Sequence, residues 1–101
     1  MEKKYFALHL LPCRPDFAFT MSEEERIIMQ QHVGYWMDYM SKGKIMVFGP
    51  VMDPKGPYGL GILAVEEEKE IEDFIAGDPA SSINRYEYFP MNAIVAPSLQ
   101  Q

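Results

Sequence analysis

SEEERIIMQQHVGYWMDYMSKGKIMVFGPVMDPKGPYGLGILAV, residues 22–65, decides how this chain folds. Ser22 followed by Glu25 is a capping box, in which each side chain satisfies the other residue's backbone N–H. Ile28, His32, Tyr35, Trp36 and Tyr39 then recur at intervals of three and four, so one helix face collects them. The pattern predicts a helix from Ser22 to about Ser41, with Gly43 as its stop. Lys44–Phe48 reads as a strand ended by Gly49-Pro50. The Pro- and Gly-rich loop VMDPKGPYG follows, and then a strand at Leu60–Val65. Two strands flanking one loop predict a hairpin-like pairing.

Outward from this segment, Lys4–Leu11 (KYFALHLL) reads as a first strand, closed by Pro12 and the loop CRPDFAFT. On the other side, Glu67–Ala76 reads as a second helix with the apolar stripe Ile71, Phe74 and Ile75. Gly77 terminates it, and Asp78-Pro79 precedes a short helical turn at Ala80–Ile83. Arg85–Val95 reads as the last strand, interrupted or bulged at Pro90. The order is β-α-β-β-α-β, an α+β, ferredoxin-like arrangement of an antiparallel sheet with two helices on one face. The domain is expected over residues 1–96, with a polar tail at 97–101.

In that architecture the second sheet face is bare and should be polar. Strand one instead alternates Phe6, Leu8 and Leu10 with Tyr5, Ala7, His9 and Leu11. Strand three sets Leu60, Ile62 and Ala64 against Leu63 and Val65, and strand two sets Ile45 and Val47 against Met46 and Phe48. Two apolar faces need two covers. A second copy of the sheet, in a symmetric homodimer or a higher oligomer built from it, is the simplest second cover. The high content of aromatics (13%) and methionines (eight) points the same way, towards an interface or a ligand pocket.

Composition limits the partners. The net charge of −6 and nine scattered Lys and Arg residues give no basic stripe, which argues against nucleic acid. No apolar run is long enough to span a membrane, and MEKKYFALHLLP lacks a signal peptide's apolar region and cleavage site. The one cysteine, Cys13, cannot form an internal disulfide. A cytoplasmic domain that takes a small-molecule ligand is the expectation.

His32 is the leading candidate for chemistry, because it is a titratable side chain on a core-facing stripe. It is either a satisfied structural histidine or the base of a buried pocket. Asp78 is either an N-cap with proline at the first helical position or the carboxylate that orients His32. Arg14, stiffened between Pro12 and Pro15, either aims at an anionic ligand or forms a surface ion pair. Trp36 and Tyr58, with Phe6, Leu8, Tyr35 and Phe48, are candidate pocket walls. Two histidines without clustered Cys or metal-type spacing make no metal site, and GPYGLG enters a strand rather than a helix, so it is no phosphate loop. No cofactor is expected.

Four segments carry a resemblance: the first strand followed by RPDF, the helix carrying HVGYWMDYMSKGK, FGPVMD at 48–53, and GDP at 77–79 before a final strand. In this order and spacing the chain resembles the YCII-related family, whose members pair as dimeric α+β barrels. The resemblance implies that a histidine on the first helix and an aspartate in the Asp-Pro step after the second, here His32 and Asp78, meet in a pocket between helix and sheet. It implies a cofactor-independent lyase or isomerase acting on a small carbonyl or aromatic-derived compound, since one branch removes HCl from a chlorinated hydroxyquinone. The wider superfamily adds muconolactone isomerases and cofactor-free monooxygenases. A non-catalytic small-ligand-binding or interaction module and a cofactor-free monooxygenase are the alternatives, because fold alone does not assign an activity. The chain departs from shorter members in its loop CRPDFAFTMS and its polar tail.

Overall fold

A computed structural model describes residues 3–99 of the chain. The described elements are β1 (Lys4–Leu11), α1 (Phe17–Thr20), α2 (Glu23–Ser41), β2 (Ile45–Val51), β3 (Tyr58–Val65), α3 (Lys69–Gly77) and β4 (Arg85–Met91), with 3-10 turns at Pro79–Ser82 and Pro97–Leu99. The four strands form one sheet in the order β2-β3-β1-β4, with every neighbouring pair antiparallel. This is the ferredoxin-like arrangement expected from the sequence.

Helix α2 begins where the sequence places it. The Ser22 side chain accepts from the Glu25 backbone N–H, and the Glu25 carboxylate accepts from the Ser22 backbone N–H. At its end Gly43 has φ +80°, a conformation open to glycine at little steric cost. Helices α2 and α3 pack on one sheet face. Phe6 and Leu8 of β1, Leu63 and Val65 of β3, and Ile45 of β2 meet Trp36 from α2 and Ile71 and Phe74 from α3 in one buried cluster. The alternation in β1 holds, with Phe6, Leu8 and Leu10 buried and Tyr5, Ala7, His9 and Leu11 half-buried.

Some local expectations need correction. CRPDFAFT is not all loop, because Phe17–Thr20 forms the short helix α1 with Phe17 buried. Strand β2 does not alternate evenly. Ile45 pairs with Leu63 and Val47 with Ile62, so Met46 is an extra residue in the ladder. The bulge sends Val47 to the open face, where it is 59% exposed, while Ile45 stays buried at 3% on the helix face. Phe48 is thereby moved onto the helix face, packed against Trp36. Gly49 and Pro50 do not end β2. They continue it, and an edge strand tolerates a proline whose missing N–H would only face outward. β4 stops at Met91 rather than Val95, and Pro90 sits within it on the opposite edge. The expected tail at 97–101 holds a 3-10 turn as far as Leu99, and residues 100 and 101 lie outside the described residues.

Gly61 explains how the bulkiest side chain of α2 reaches the sheet. A Cβ built on Gly61 would lie 2.1 Å from the Trp36 ring. The bare backbone is therefore the floor on which the indole rests. The opposite face is uncovered in the single chain, with Val47, Phe89 and Met91 exposed beside His9 and Tyr58.

Candidate active site

The α2 stripe and the segment after α3 meet at one buried carboxylate. Asp78 caps the 3-10 turn, with its Oδ1 accepting from the Ala80 backbone N–H at 2.9 Å and Pro79 at the first position. The same carboxylate accepts from His32 Nδ1, at 3.1 Å to Oδ1 and 2.9 Å to Oδ2. Trp36 Nε1 donates to Oδ2 at 2.6 Å, and the Tyr86 hydroxyl donates to Oδ2 in a short hydrogen bond. His32 and Trp36 are four residues apart, so α2 presents both donors from one face. Tyr86 adds its donor from the start of β4. The Asp78 side chain has no solvent exposure and His32 has 10%.

Burial alone pushes the Asp78 carboxyl up. The hydrogen bonds from His32, Tyr86, the Ala80 N–H and Trp36 outweigh it and leave the group below its ordinary value. Tyr86 is pushed far up, by its own burial and then by the Asp78 carboxylate, so it stays a phenol donor. An ionised carboxylate only accepts, so the proton on His32 Nδ1 lies between the two groups and the lone pair of the neutral ring is on Nε2.

Nε2 turns away from Asp78. Among the described residues no buried side-chain nitrogen or oxygen lacks a partner, and Nε2 carries none, so it is open to the space beside it. That space is a cavity of about 320 Å³ between α2, α1 and the β2–β3 hairpin. Phe17, Met21, Met29, Trp36, Phe48 and Leu10 line it with other apolar residues, and His32 and Asn84 bring polar groups to it. Gly59 also lines it, and the absence of a side chain there keeps the volume open.

The expected site residues separate into two groups. His32, Asp78 and Trp36 come together, and Phe48 joins the cavity wall. Tyr58 borders the cavity, but its ring packs against His9, centroids 5.5 Å apart, on the open sheet face. Phe6, Leu8 and Tyr35 are in or against the core cluster and do not line the cavity. Arg14 is not a wall residue. Its guanidinium donates to both Glu25 oxygens at 2.8 and 3.0 Å, to the Thr20 carbonyl at 2.7 Å and to the Thr20 hydroxyl at 3.0 Å. This clamp ties α1, which carries Phe17 and Ala18 into the cavity wall, to the start of α2. The Arg14 hydrogen bond, with the Ser22 N–H, holds the Glu25 carboxyl down at about 2. Cys13 is exposed, and its backbone N–H is bound by Asn84. Among the described residues no group of three His, Cys, Asp or Glu side chains could hold a metal ion, and no helix is long and apolar enough to cross a membrane.

The family model of the YCII-related domain matches residues 6–92, from β1 to the end of β4. The chain belongs to the YCII-related family. No curated protein matches it. The matched span of this YCII-related protein contains His32, Asp78, Trp36 and Tyr86 together. Tyr86 and Asn84 are the residues that sequence reasoning missed. Their one linear signal is proximity to Asp78, because residues 78–86 supply the carboxylate, the amide and the phenol in a single stretch.

The depressed carboxyl of Asp78 fixes the sign of a pH dependence. The native group titrates below its unfolded value, so the unfolded chain binds the extra proton. Its contribution is complete at neutral pH and is lost as the pH falls from about 4 through the lower native value. Asp78→Asn should cost about 3 kcal/mol at pH 7, because the buried donors lose a charged acceptor. It should also flatten the acid limb of the stability curve. Urea unfolding from pH 7 to 2.5 checks both, and parallel acid limbs for wild type and variant would contradict the assignment.

Proposed function

We propose that this YCII-related protein transfers a proton on a small, enolisable carbonyl compound, with His32 as the base and Asp78 as its orienting partner. One observation carries the reading: His32 Nδ1 is held by a buried carboxylate at 2.9 Å while the ring borders an apolar cavity. Nε2 takes a proton from the carbon next to the carbonyl. The imidazolium that forms is stabilised by Asp78, which is already ionised and needs no reorganisation. The resulting enolate either takes the proton back from the imidazolium at a carbon conjugated with it, an isomerisation, or expels a leaving group from the adjacent carbon, which departs with that proton, a lyase reaction. The walls around the ring are mostly apolar, a setting in which each of these charge interactions is stronger than in bulk water.

Hydrogen–deuterium exchange at the α-carbons of 2-tetralone in D2O, followed by NMR, tests this without knowledge of the physiological substrate. The protein should accelerate exchange. His32→Ala should lower the acceleration by about 10²–10⁴-fold, the usual contribution of a positioned base. Asp78→Asn should lower it too, with the fold checked by circular dichroism. Exchange that is unchanged in a folded His32→Ala variant would leave a binding module as the better account.

We also propose that a second copy of the chain covers the open sheet face. Val47, Phe89 and Met91 are exposed there as large apolar side chains on a face that water solvates poorly. Sedimentation should show a dimer, and Val47→Glu combined with Phe89→Glu should shift it to monomer. A wild-type monomer at tens of micromolar would contradict the proposal.

A further inference from the structure

A base alone does not hold a carbonyl compound for deprotonation. The enolate oxygen gathers charge as the proton leaves, so a hydrogen-bond donor placed there lowers the barrier. The cavity offers few donors. The Trp36 indole N–H is spent on Asp78 and Tyr86, and the Tyr58 ring lies against His9 on the other sheet face. Asn84 remains. It is 8% exposed, it lines the cavity, and its backbone N–H is anchored on the Ala80 carbonyl.

The orientation of the Asn84 amide is fixed by chemistry. Its Oδ1 accepts from the Cys13 backbone N–H at 3.0 Å, a position that only the oxygen can fill. Nδ2 therefore points the other way, and its partner is the Met29 thioether at 3.7 Å. A thioether is a weak acceptor, and an amide nitrogen carries two hydrogens, so Asn84 retains donor capacity beside the cavity. Met29 precedes His32 by three residues on α2. Residues so spaced share a helix face, so the thioether that meets the amide and the imidazole lie on the same side of α2, and Met29, His32 and Asn84 all line the one cavity.

The cavity also lacks a feature that an anion would need. No Lys or Arg lines it among the described residues, and Arg14 is committed to Glu25 and Thr20. The formal charge bound to the cavity's own imidazole is negative, the Asp78 carboxylate behind His32. We infer that Asn84 Nδ2 is the oxygen anchor of this site, and that its ligand is an uncharged ketone or ester rather than a carboxylate or phosphate. The inference rests on the proposed proton transfer, deepens it, and is tested apart from it.

The test is an NMR titration of the intact chain with three probes of one skeleton: tetralin, 2-tetralone and 1,2,3,4-tetrahydro-2-naphthoate. The ketone should bind about five- to tenfold more tightly than the hydrocarbon, the usual scale of one buried hydrogen bond, and should shift the Asn84 side-chain amide protons. The carboxylate should bind more weakly than the ketone. Asn84→Ala should erase the preference for ketone over hydrocarbon. So should Asn84→Asp, which keeps an acceptor for the Cys13 N–H but, when ionised, has no donor. Tetralin affinity reports whether the cavity survives each substitution, and the preference in the wild type depends on no variant. Carboxylate binding as tight as ketone binding would overturn the inference. So would absence of ketone binding, no ketone preference in the wild type, or a preference that persists in both variants. Ketone binding that depends on Asn84 without α-exchange would sink the catalytic reading alone. Exchange indifferent to Asn84 would sink this inference alone.

Discussion

One carboxylate organises the functional half of this molecule. The Asp78 side chain is fully buried and accepts hydrogen bonds from His32, Trp36, Tyr86 and the Ala80 N–H. A buried carboxylate without such partners would either take a proton or destabilise the fold by several kcal/mol. Here the donors come from α2, from β4 and from the turn that Asp78 itself caps. The group therefore locks three parts of the chain together, and the ionised state that stabilises the fold is also the state that orients an imidazole.

The cavity is a consequence of where side chains are missing or displaced. Gly61 lets the Trp36 ring lie on the sheet, and Gly59 leaves volume above β3. The bulge at Met46 turns Phe48 inward to meet the indole. The Arg14–Glu25 clamp then fixes α1 as the outer wall. Each of these is a local backbone or charge effect, and together they place an apolar chamber against the open edge of His32. The chemistry proposed for the site follows from that placement.

Much of the fold was legible because its signals are periodic. The capping box, the 3.6-residue stripe of α2 and the alternation of β1 all correspond to observed elements. Asp78 shows where two readings are not rivals, since it is an N-cap and the partner of His32 at once. Strand parity could have placed Tyr58 correctly, because it shares a face with Leu60 and Ile62 rather than with the glycines that floor the cavity. Other features had little or no linear signal. Four residues of α1 are too few to show a helical period, and the bulge in β2 depends on pairing with β3. Asn84 and Tyr86 had only their nearness to Asp78 in the chain as a signal, and the geometry of the 3-10 turn brings them to the site. Arg14 sits between two prolines as expected, but Glu25, in the first turn of α2, captures it before any ligand could.

The central claim is that Asp78 sets the tautomer of His32 so that Nε2 is left as a base facing the cavity. Nitrogen-15 NMR of the imidazole ring, recorded where the ring is neutral, reads this directly. The account predicts a protonated, pyrrole-like Nδ1 and an unprotonated, pyridine-like Nε2, with the assignment disturbed in Asp78→Asn. A neutral ring with its proton on Nε2 in the wild type, unaffected by replacement of Asp78, would contradict it.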